Sequence, residues 1–242
     1  MGAGRLTGIA TPGDHHHHDL PLPEPDTVDV WVARLDPDSG ELARRVAATS
    51  GAERERASRF RRRLDADRYL AAHGALRLLL ADYLASDPLS LRVGTHENGK
   101  PFLEGARLEF NLSHSGAVAL IAVAQSRQVG VDVEQLRSMP DLDGVAARVC
   151  TPGELATLAG LAESDRERAF LAMWTCKEAL AKATGEGIGG VVRDARHAPV
   201  ETQDRWTLAE VTDLPGYAAC VAAEGAGWHL VQRTMTDPNG RR

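Results

Sequence analysis

The sequence predicts an α+β protein made of two similar halves, related by a pseudo-twofold and joined in one pseudo-dimeric chain. The main observation is that helical patterns followed by short, antiparallel-looking strand patterns occur twice along the 242 residues. The apolar fraction of 43% is sufficient for a substantial core. We place the junction between the halves near residues 125–128.

The first half is predicted at 27–126, after a disordered leader at 1–26 that is rich in Gly, Pro and His and contains His15 to His18, native or an engineered tag. An alternating strand at 28–35 precedes a helix at 42–48 and a long helical stretch at about 53–84, which Asp87 and Pro88 stop. Strands are predicted at 91–95, 108–112 and 118–124, with a turn at 97–100.

The second half is predicted at 127–236, followed by a tail at 237–242. It opens with an alternating strand at 129–134. Helices are predicted at 142–149, 153–161 and 166–184, and strands at 206–211, 217–223 and 228–233.

Charge and composition exclude several classes of protein. A net charge of −6 disfavours a nucleic-acid binder. With no apolar run of transmembrane length and no signal peptide, we expect a cytoplasmic protein with no membrane partner. The three widely spaced cysteines form no zinc pattern and are expected to be free thiols.

The positive charge is concentrated in one segment. Seven arginines lie between residues 54 and 68, and acidic residues are interleaved with them. The segment is either a localised anion site or a solvated helix face, and the interleaving favours the solvated face.

The run Val129-Gly130-Val131-Asp132-Val133-Glu134 places the valines on one strand face and two carboxylates on the other. Two carboxylates at such a distance need a cation between them, or one of them must take a proton. An exposed strand face would give the same pattern and is favoured for this motif alone.

A helical motif, Trp174-x-x-Lys177-Glu178-Ala179-x-x-Lys182, places Trp174, Glu178 and Lys182 on one face. A surface ion pair between Glu178 and Lys182 is the plainer interpretation of this motif in isolation.

The run Asn111-Leu112-Ser113-His114-Ser115 is predicted at a strand end entering a loop. Adjacent side chains on an extended backbone point apart, so Ser113 and His114 cannot form a nucleophile and base pair. Hydroxyls and an imidazole at such a place suit phosphate oxygens.

Taken in order, the basic helix, the G-K-P turn, N-L-S-H-S, V-G-V-D-V-E and W-x-x-K-E-A-x-x-K resemble the surfactin-synthetase-type (Sfp-type) 4'-phosphopantetheinyl transferases. The resemblance spans about residues 54–187. It implies Mg²⁺-dependent transfer of the phosphopantetheine arm of coenzyme A, the substrate, to a serine of an apo acyl or peptidyl carrier protein, with release of 3',5'-ADP. Mn²⁺ is a candidate substitute for Mg²⁺.

The resemblance also assigns residues. It makes Asp132, Glu134 and Glu178 the metal ligands and gives Lys182 a contact with coenzyme A phosphate. It assigns nucleotide-phosphate contacts to Ser113 and His114, a coenzyme A contact to Lys100 and the 3'-phosphate to Arg56 and Arg68. Glu154 falls where the family has one proposed general base. We expect a monomer with its active site in the cleft between the halves.

Three alternatives stay open. Thr151-Pro152-Gly153-Glu154 also has the form of a capping box, which would make Glu154 a helix cap rather than a base. A metal-dependent nuclease is disfavoured because no lysine closely follows Glu134. A non-catalytic module that binds coenzyme A or a carrier protein is disfavoured by the complete set of acids together with Lys182. Which carrier protein is served is not encoded in these motifs.

Overall fold

The computed structural model describes residues 20–186 and 205–235. Most of the leader, including His15 to His18, and the tail at 237–242 lie outside the described residues. In chain order the elements are β1 (Thr27–Arg34), α1 (Ser39–Ala48), α2 (Gly51–Ala57), α3 (Arg63–Leu84), β2 (Val93–Thr95), β3 (Pro101–Leu103), β4 (Leu108–Ser115), β5 (Val118–Gln125), β6 (Val129–Gln135), α4 (Leu142–Val149), α5 (Pro152–Ala159), α6 (Glu163–Thr184), β7 (Trp206–Glu210), β8 (Tyr217–Glu224) and β9 (His229–Thr234).

Two sheets form the centre of the fold. The first has the strand order β4-β5-β1-β9 and the second β6-β8-β7, while β2 and β3 form a separate small ladder. Antiparallel pairing joins β1 to β5, β4 to β5 and β6 to β8. The α+β class and the two-part arrangement predicted from the sequence are confirmed.

Side chains alternate along the strands and divide the interior into layers. On one face of the first sheet, Ile121 packs with Leu79 and Leu80 of α3. On its other face, Leu120 packs with Val131 and Val221 of the second sheet. The far face of the second sheet contacts α6. The layers therefore run helix, sheet, sheet, helix, and the two sheets share one core.

Strand β9 does not pair where its position in the chain suggested. Element order placed it with the strands of the second half, but it pairs in parallel with β1, with Thr27 opposite His229 and Val32 opposite Thr234. Arg233 Nε donates to the buried carboxylate of Asp29 at 3.0 Å and fixes this pairing. The end of the chain thus returns to the sheet of the first half.

Three local predictions need correction. The stretch 53–84 is divided, since α2 ends at Ala57 and α3 begins at Arg63. Strand β4 continues to Ser115, so Ser113 and His114 lie within a strand rather than at its exit into a loop. The tight turn after it uses Gly116, whose φ of 57° favours glycine. Strand β3 was missed because its three residues are too few to show a period.

Among residues 20–186 and 205–235, no helix is long and apolar enough to cross a membrane.

Candidate active site

The close approach of α6 to β6 creates the site. Gly130 permits it, because a Cβ there would lie 2.2 Å from the carbonyl oxygen of Ala179 and 2.4 Å from the amide nitrogen of Ala183. The valines of β6 face the shared core, so the alternate residues Asp132 and Glu134 face α6. The helix therefore presents its polar residues to these two carboxylates.

Lys182 of α6 binds this face of β6 directly. Its Nζ donates to Asp132 Oδ1 at 2.7 Å, to Ser113 Oγ at 2.9 Å and to the carbonyl oxygen of Val131 at 3.2 Å. Ser113 Oγ in turn donates to Asp132 Oδ1 at 2.8 Å. The structure thus brings together residues from three elements, β4, β6 and α6.

Strand β4 lies beside β6 and supplies a row of polar side chains. Asn111 Oδ1 accepts from the Val131 amide at 2.9 Å, and Ser115 Oγ donates to Glu134 Oε2 at 2.9 Å. Asn111, Ser113 and Ser115 are spaced two apart and share one strand face. Asn111 and Ser115 belong to the run noted in the sequence but were assigned no individual role, and their spacing from Ser113 would have placed all three on one face of a longer strand.

Glu178 lies one helical turn before Lys182 and faces the same carboxylates. Burial, and then the negative charges of Asp132 and Glu134, raise the pKa of Glu178, while Lys182 opposes the rise. Asp132 Oδ2 is buried and has no hydrogen-bond partner among the described residues. A carboxylate oxygen without a donor, beside two further carboxylates, fits a bound cation.

The three carboxylates do not form a finished ligand cage. Across residues 20–186 and 205–235, no three His, Cys, Asp or Glu side chains are grouped so that they could hold a metal ion. Lys182 and Ser113 bind Asp132 Oδ1, and Ser115 binds Glu134. The acids therefore influence one another electrostatically, as the raised pKa of Glu178 shows. Among the described residues, however, their side chains are not arranged to bind an ion together.

His114 projects from β4 opposite to Ser113, toward α3. Although part of its surface is exposed, loss of hydration lowers the pKa of His114, and the nearby His73 and Lys182 add to the effect. An imidazole in these surroundings is biased toward its neutral form, which can both donate and accept a hydrogen bond.

Lys100 borders a cavity of about 290 Å³. The cavity is lined by Asn98, Gly99, Lys100, Pro101, Asn111, Leu112, Glu178, Ala181, Lys182 and Gly185. The ammonium of Lys100 is buried and donates to Gln128 Oε1 at 2.7 Å and to the carbonyl oxygen of Ala183 at 2.9 Å. Burial lowers the pKa of Lys100. Lys100 thus reaches the cavity, yet its side chain binds the last turn of α6.

A larger cleft of about 620 Å³ lies between α6 and the connection from β7 to β8, and none of the site residues predicted from the sequence lines it. The smaller cavity, which contains Glu178 and Lys182, is therefore the candidate binding site.

Arg56 and Arg68 lie on either side of the break between α2 and α3. Arg68 forms two hydrogen bonds with the carboxylate of Asp36, at 2.8 and 2.7 Å. The guanidinium of Arg56 lies 5.6 Å from the centre of the Tyr69 ring, and that ring stacks on His73 at 4.2 Å. Arg56 is thus connected through Tyr69 to His73, whereas Arg68 is bound by an acid.

Glu154 caps a helix. Its Oε2 accepts from the Thr151 amide at 2.6 Å, the Thr151 hydroxyl accepts from the Glu154 amide at 3.2 Å, and the capping box is complete. The same Oε2 lies 3.0 Å from Nζ of Lys177, a residue of α6 that is 1% exposed. This ion pair could not be predicted from the sequence, because the two residues are distant along the chain.

Comparison with known proteins gives a consistent result. Residues 128–227 match the family model described as the 4'-phosphopantetheinyl transferase superfamily, and residues 33–126 match the model described as 4'-phosphopantetheinyl transferase, N-terminal.

Individual relatives extend these matches. The chain is 36% identical over 213 residues to the 4'-phosphopantetheinyl transferase HetI of Nostoc sp. strain PCC 7120. The aligned region covers 84% of this chain and 90% of the relative. It is 32% identical over 151 residues to a 4'-phosphopantetheinyl transferase of Bacillus subtilis, covering 62% of this chain and 66% of the relative. It is 28% identical over 149 residues to the 4'-phosphopantetheinyl transferase Sfp of Bacillus subtilis strain 168, covering 61% and 65%.

Proposed function

Because this chain belongs to the 4'-phosphopantetheinyl transferase superfamily, it is a transferase that moves the phosphopantetheine arm of coenzyme A to a carrier protein, and we propose that it is a Mg²⁺-dependent enzyme of the surfactin-synthetase type. The observation that carries the proposal is the convergence of Lys182, Ser113 and Asp132, with Asp132 Oδ2 unpartnered and the pKa of Glu178 raised by its acidic neighbours.

In the reaction, the hydroxyl oxygen of the carrier serine attacks the phosphorus next to the pantetheine arm. The bond from that phosphorus to the bridging oxygen of the pyrophosphate breaks, and 3',5'-ADP leaves. The chain's own task is positioning and charge neutralisation. We assign to Lys182 the binding of pyrophosphate oxygens, since its ammonium already donates to three oxygen acceptors. Ser113 and His114 hold further phosphate oxygens.

Asp132, Glu134 and Glu178 would hold Mg²⁺, with Mn²⁺ able to substitute. The ion would neutralise negative charge on the pyrophosphate. The described arrangement supports this assignment through its unpartnered Asp132 oxygen. When coenzyme A binds, Lys182 would leave Asp132 and bind a phosphate of the substrate instead. The carboxylate of Asp132 would then be able to bind the metal ion.

The remaining assignments concern coenzyme A and the serine proton. We propose that Arg56 and Arg68 contact the 3'-phosphate, which requires Arg68 to exchange Asp36 for the phosphate. Lys100 borders the cavity and contacts coenzyme A from there. Glu154 accepts the serine proton, directly or through one water. Its hydrogen bonds with Thr151 support the capping role, and its ion pair with Lys177 supports a structural role.

We further propose a division into 27–126 and 127–236, with a leader at 1–26 and a tail at 237–242, and a monomer working in the cytoplasm without a nucleic-acid or membrane partner. The free thiols of Cys150, Cys176 and Cys220 suit a reducing compartment. The core shared by the sheets supports a monomer, since one chain supplies both walls of the site. A dimer in solution scattering would contradict this.

The decisive experiment is mass spectrometry of an apo carrier protein incubated with the enzyme, coenzyme A and Mg²⁺. We expect a gain of about 340 Da on the carrier serine, because covalent transfer is what separates catalysis from binding. A carrier with its serine replaced by alanine is the control. Binding without a mass gain would indicate a non-catalytic module, and release of nucleotides from plain DNA would indicate a nuclease.

A further inference from the structure

Two of the three cysteines lie in the interface between α6 and the second sheet. Cys176 is on the face of α6 that also carries Ala179 and Ala183, since residues three and seven positions apart share a helix face. This face meets β6, because the backbone of Ala179 and Ala183 closes the space beside Gly130. The side chain of Cys176 therefore lies on the side of the helix that packs on the sheet.

Cys220 reaches the same interface from β8. It lies directly opposite Asp132 in the antiparallel pairing of β6 with β8, and directly opposite residues project from the same face of a sheet. Asp132 and Gly130 are two positions apart, so both face α6. Cys220 is fully buried there in an apolar cluster that includes Ala179, and Cys176 packs against this cluster.

The two cysteines are both free thiols and contact one another. A hydrogen bond between Cys220 and Cys176, and then burial, raise the pKa of the Cys220 thiol. The negative charges of Glu210 and Asp132, which lie opposite Cys220 on the two neighbouring strands, add to this rise. Cys150, in contrast, lies in a separate apolar cluster. Cys176 and Cys220 therefore form a thiol pair that does not include Cys150.

We propose that Cys176 and Cys220 are a site of reversible oxidation, at which hydrogen peroxide converts the two thiols into a disulfide and slows the enzyme. Cys176 reacts first, because it is partly exposed whereas Cys220 is buried. Its sulfur attacks one oxygen of the peroxide, which gives a sulfenic acid at Cys176 and one water. The Cys220 sulfur then displaces the hydroxyl group from the Cys176 sulfur, and a second water leaves as the disulfide forms. Two electrons pass from the thiols to the peroxide, and both thiol protons end in the water.

Formation of the disulfide must move α6, since a sulfur–sulfur bond is shorter than any contact between two thiols. The helix cannot simply approach the sheet, because the backbone of Ala179 and Ala183 already closes the space beside Gly130. It must turn about that contact instead, and Glu178, two residues after Cys176, turns with it. A displacement of about 1 Å can slow an enzyme by about 10²-fold. This effect on transfer rests on the proposed function, in which Glu178 holds the metal ion, whereas the disulfide itself does not.

The first measurement is mass spectrometry of the intact protein and of its peptides after treatment with hydrogen peroxide. We expect the wild type to lose two hydrogen atoms, to give a peptide pair joined through Cys176 and Cys220, and to recover both thiols in dithiothreitol. The reaction is followed for hours, because the raised pKa of Cys220 leaves little thiolate to close the disulfide. Cys176→Ala and Cys220→Ala should each form no such link. Cys150→Ala is the matched control and should form it as the wild type does, because Cys150 lies in a separate cluster.

The second measurement is the rate of transfer to a full-length carrier protein before oxidation, after oxidation and after reduction. We expect oxidation to lower kcat of the wild type and of Cys150→Ala by at least about tenfold, and dithiothreitol to restore it. Cys176→Ala should keep its kcat at the same dose of peroxide. The peroxide is removed before coenzyme A is added, because the thiol of coenzyme A would also be oxidised.

The outcomes are separable. A wild type in which Cys176 and Cys220 stay unlinked would overturn the oxidation site. A disulfide that leaves kcat unchanged would overturn its effect on the enzyme. A kcat that falls equally in Cys176→Ala would place the damage at another residue and would overturn that effect as well. A wild type that transfers nothing even when reduced would overturn the proposed function alone, since the mass measurement decides whether the disulfide forms.

Discussion

Glu178 and Lys182 are one turn apart on α6 and face the same acids with opposite consequences. Lys182 is stabilised by its contact with Asp132, whereas Glu178 is buried beside two like charges that raise its pKa. The ion pair of Lys182 with Asp132 compensates charge locally. The crowding of Glu178 is an unfavourable arrangement that a bound cation would relieve.

We expect Glu178→Gln to fold at least as well as the wild type and to lower transfer by about 10²-fold or more. Because the pKa of Glu178 is higher in the folded protein than its value of 4.5 in the unfolded chain, the protonated carboxyl stabilises the fold. This stabilisation is fully present below pH 4.5 and is lost as the pH rises through the folded pKa. The Tm advantage of Glu178→Gln over the wild type should therefore grow as pH rises above 4.5.

Thermal melts from pH 4 to 8 with and without Mg²⁺ measure this. Mg²⁺ should raise the Tm of the wild type more than that of Glu178→Gln, since the ion neutralises the charge that the variant lacks. An equal Mg²⁺ effect in both proteins would remove Glu178 from the metal site.

Arg68 tests how the 3'-phosphate is recognised. Arg68→Ala should reduce the preference for coenzyme A over dephospho-coenzyme A by about tenfold, because a charge-assisted pair to phosphate is lost. The matched variant is Asp36→Ala, which frees the guanidinium of Arg68 and should keep or strengthen the preference. If neither variant changes the ratio of kcat/KM values, Arg68 only ties α3 to the segment after β1.

Glu154 can be tested against its capping role. Glu154→Gln keeps a capping box but leaves the buried Lys177 without its ionic partner, so we expect a loss of about 2 kcal/mol in unfolding free energy. Adding Lys177→Met should restore much of this loss.

The kinetic measurement then separates the roles. If Glu154 is the base, kcat of Glu154→Gln falls about 10²-fold with an unchanged KM for coenzyme A. If kcat of Glu154→Gln at saturating carrier protein stays within a few-fold of the wild-type value, Glu154 is a helix cap and not the general base.

At the scale of elements, the distance between β6 and α6 decides whether the site exists. No side chain fits between Gly130 and the backbone of α6. Backbone atoms cannot rotate away as a side chain can, so any added carbon displaces the helix.

We expect Gly130→Ala to lower the free energy of unfolding by about 1–3 kcal/mol and to lower kcat further than the lost stability explains, because Glu178 and Lys182 move away from Asp132. Gly51→Ala is the control, since nothing lies within 4 Å of its added Cβ at the start of α2. Urea denaturation and single-turnover kinetics of both variants check this. Gly130→Ala with normal stability and turnover would mean that α6 tolerates displacement.

At the scale of the whole molecule, the two halves share a core, and one strand of the second half joins the sheet of the first. Val30 and Leu120 of the first sheet pack with Val131 and Val221 of the second, and β9 returns to β1. Neither sheet can expose this face to water without losing the apolar burial of that face.

We therefore expect a single cooperative unfolding transition. Urea curves from far-UV circular dichroism and from tryptophan fluorescence should coincide, because the chain has tryptophans in both halves, at Trp31 and at Trp174 and Trp206. Two separated transitions would show that each half is stable without the other.

By itself the sequence determined most of the local elements and which face of β6 carries the two carboxylates. Helix α4 has the bounds predicted for it, and the alternation of β6 correctly placed Asp132 and Glu134 opposite the valines. The capping box at Thr151 was also visible. These features could be predicted because period, capping and turn chemistry depend on residues a few positions apart.

Only the tertiary structure decided which distant groups meet. It paired β9 with β1, bound Lys100 to the carbonyl oxygen of Ala183, placed Lys177 on Glu154 and set Ser115 against Glu134. A periodic pattern predicts which face of a helix or strand is buried, but it does not predict which other element packs against that face. Strand order and buried polar partners follow from how the layers stack, since every polar group enclosed between them must find a partner within reach.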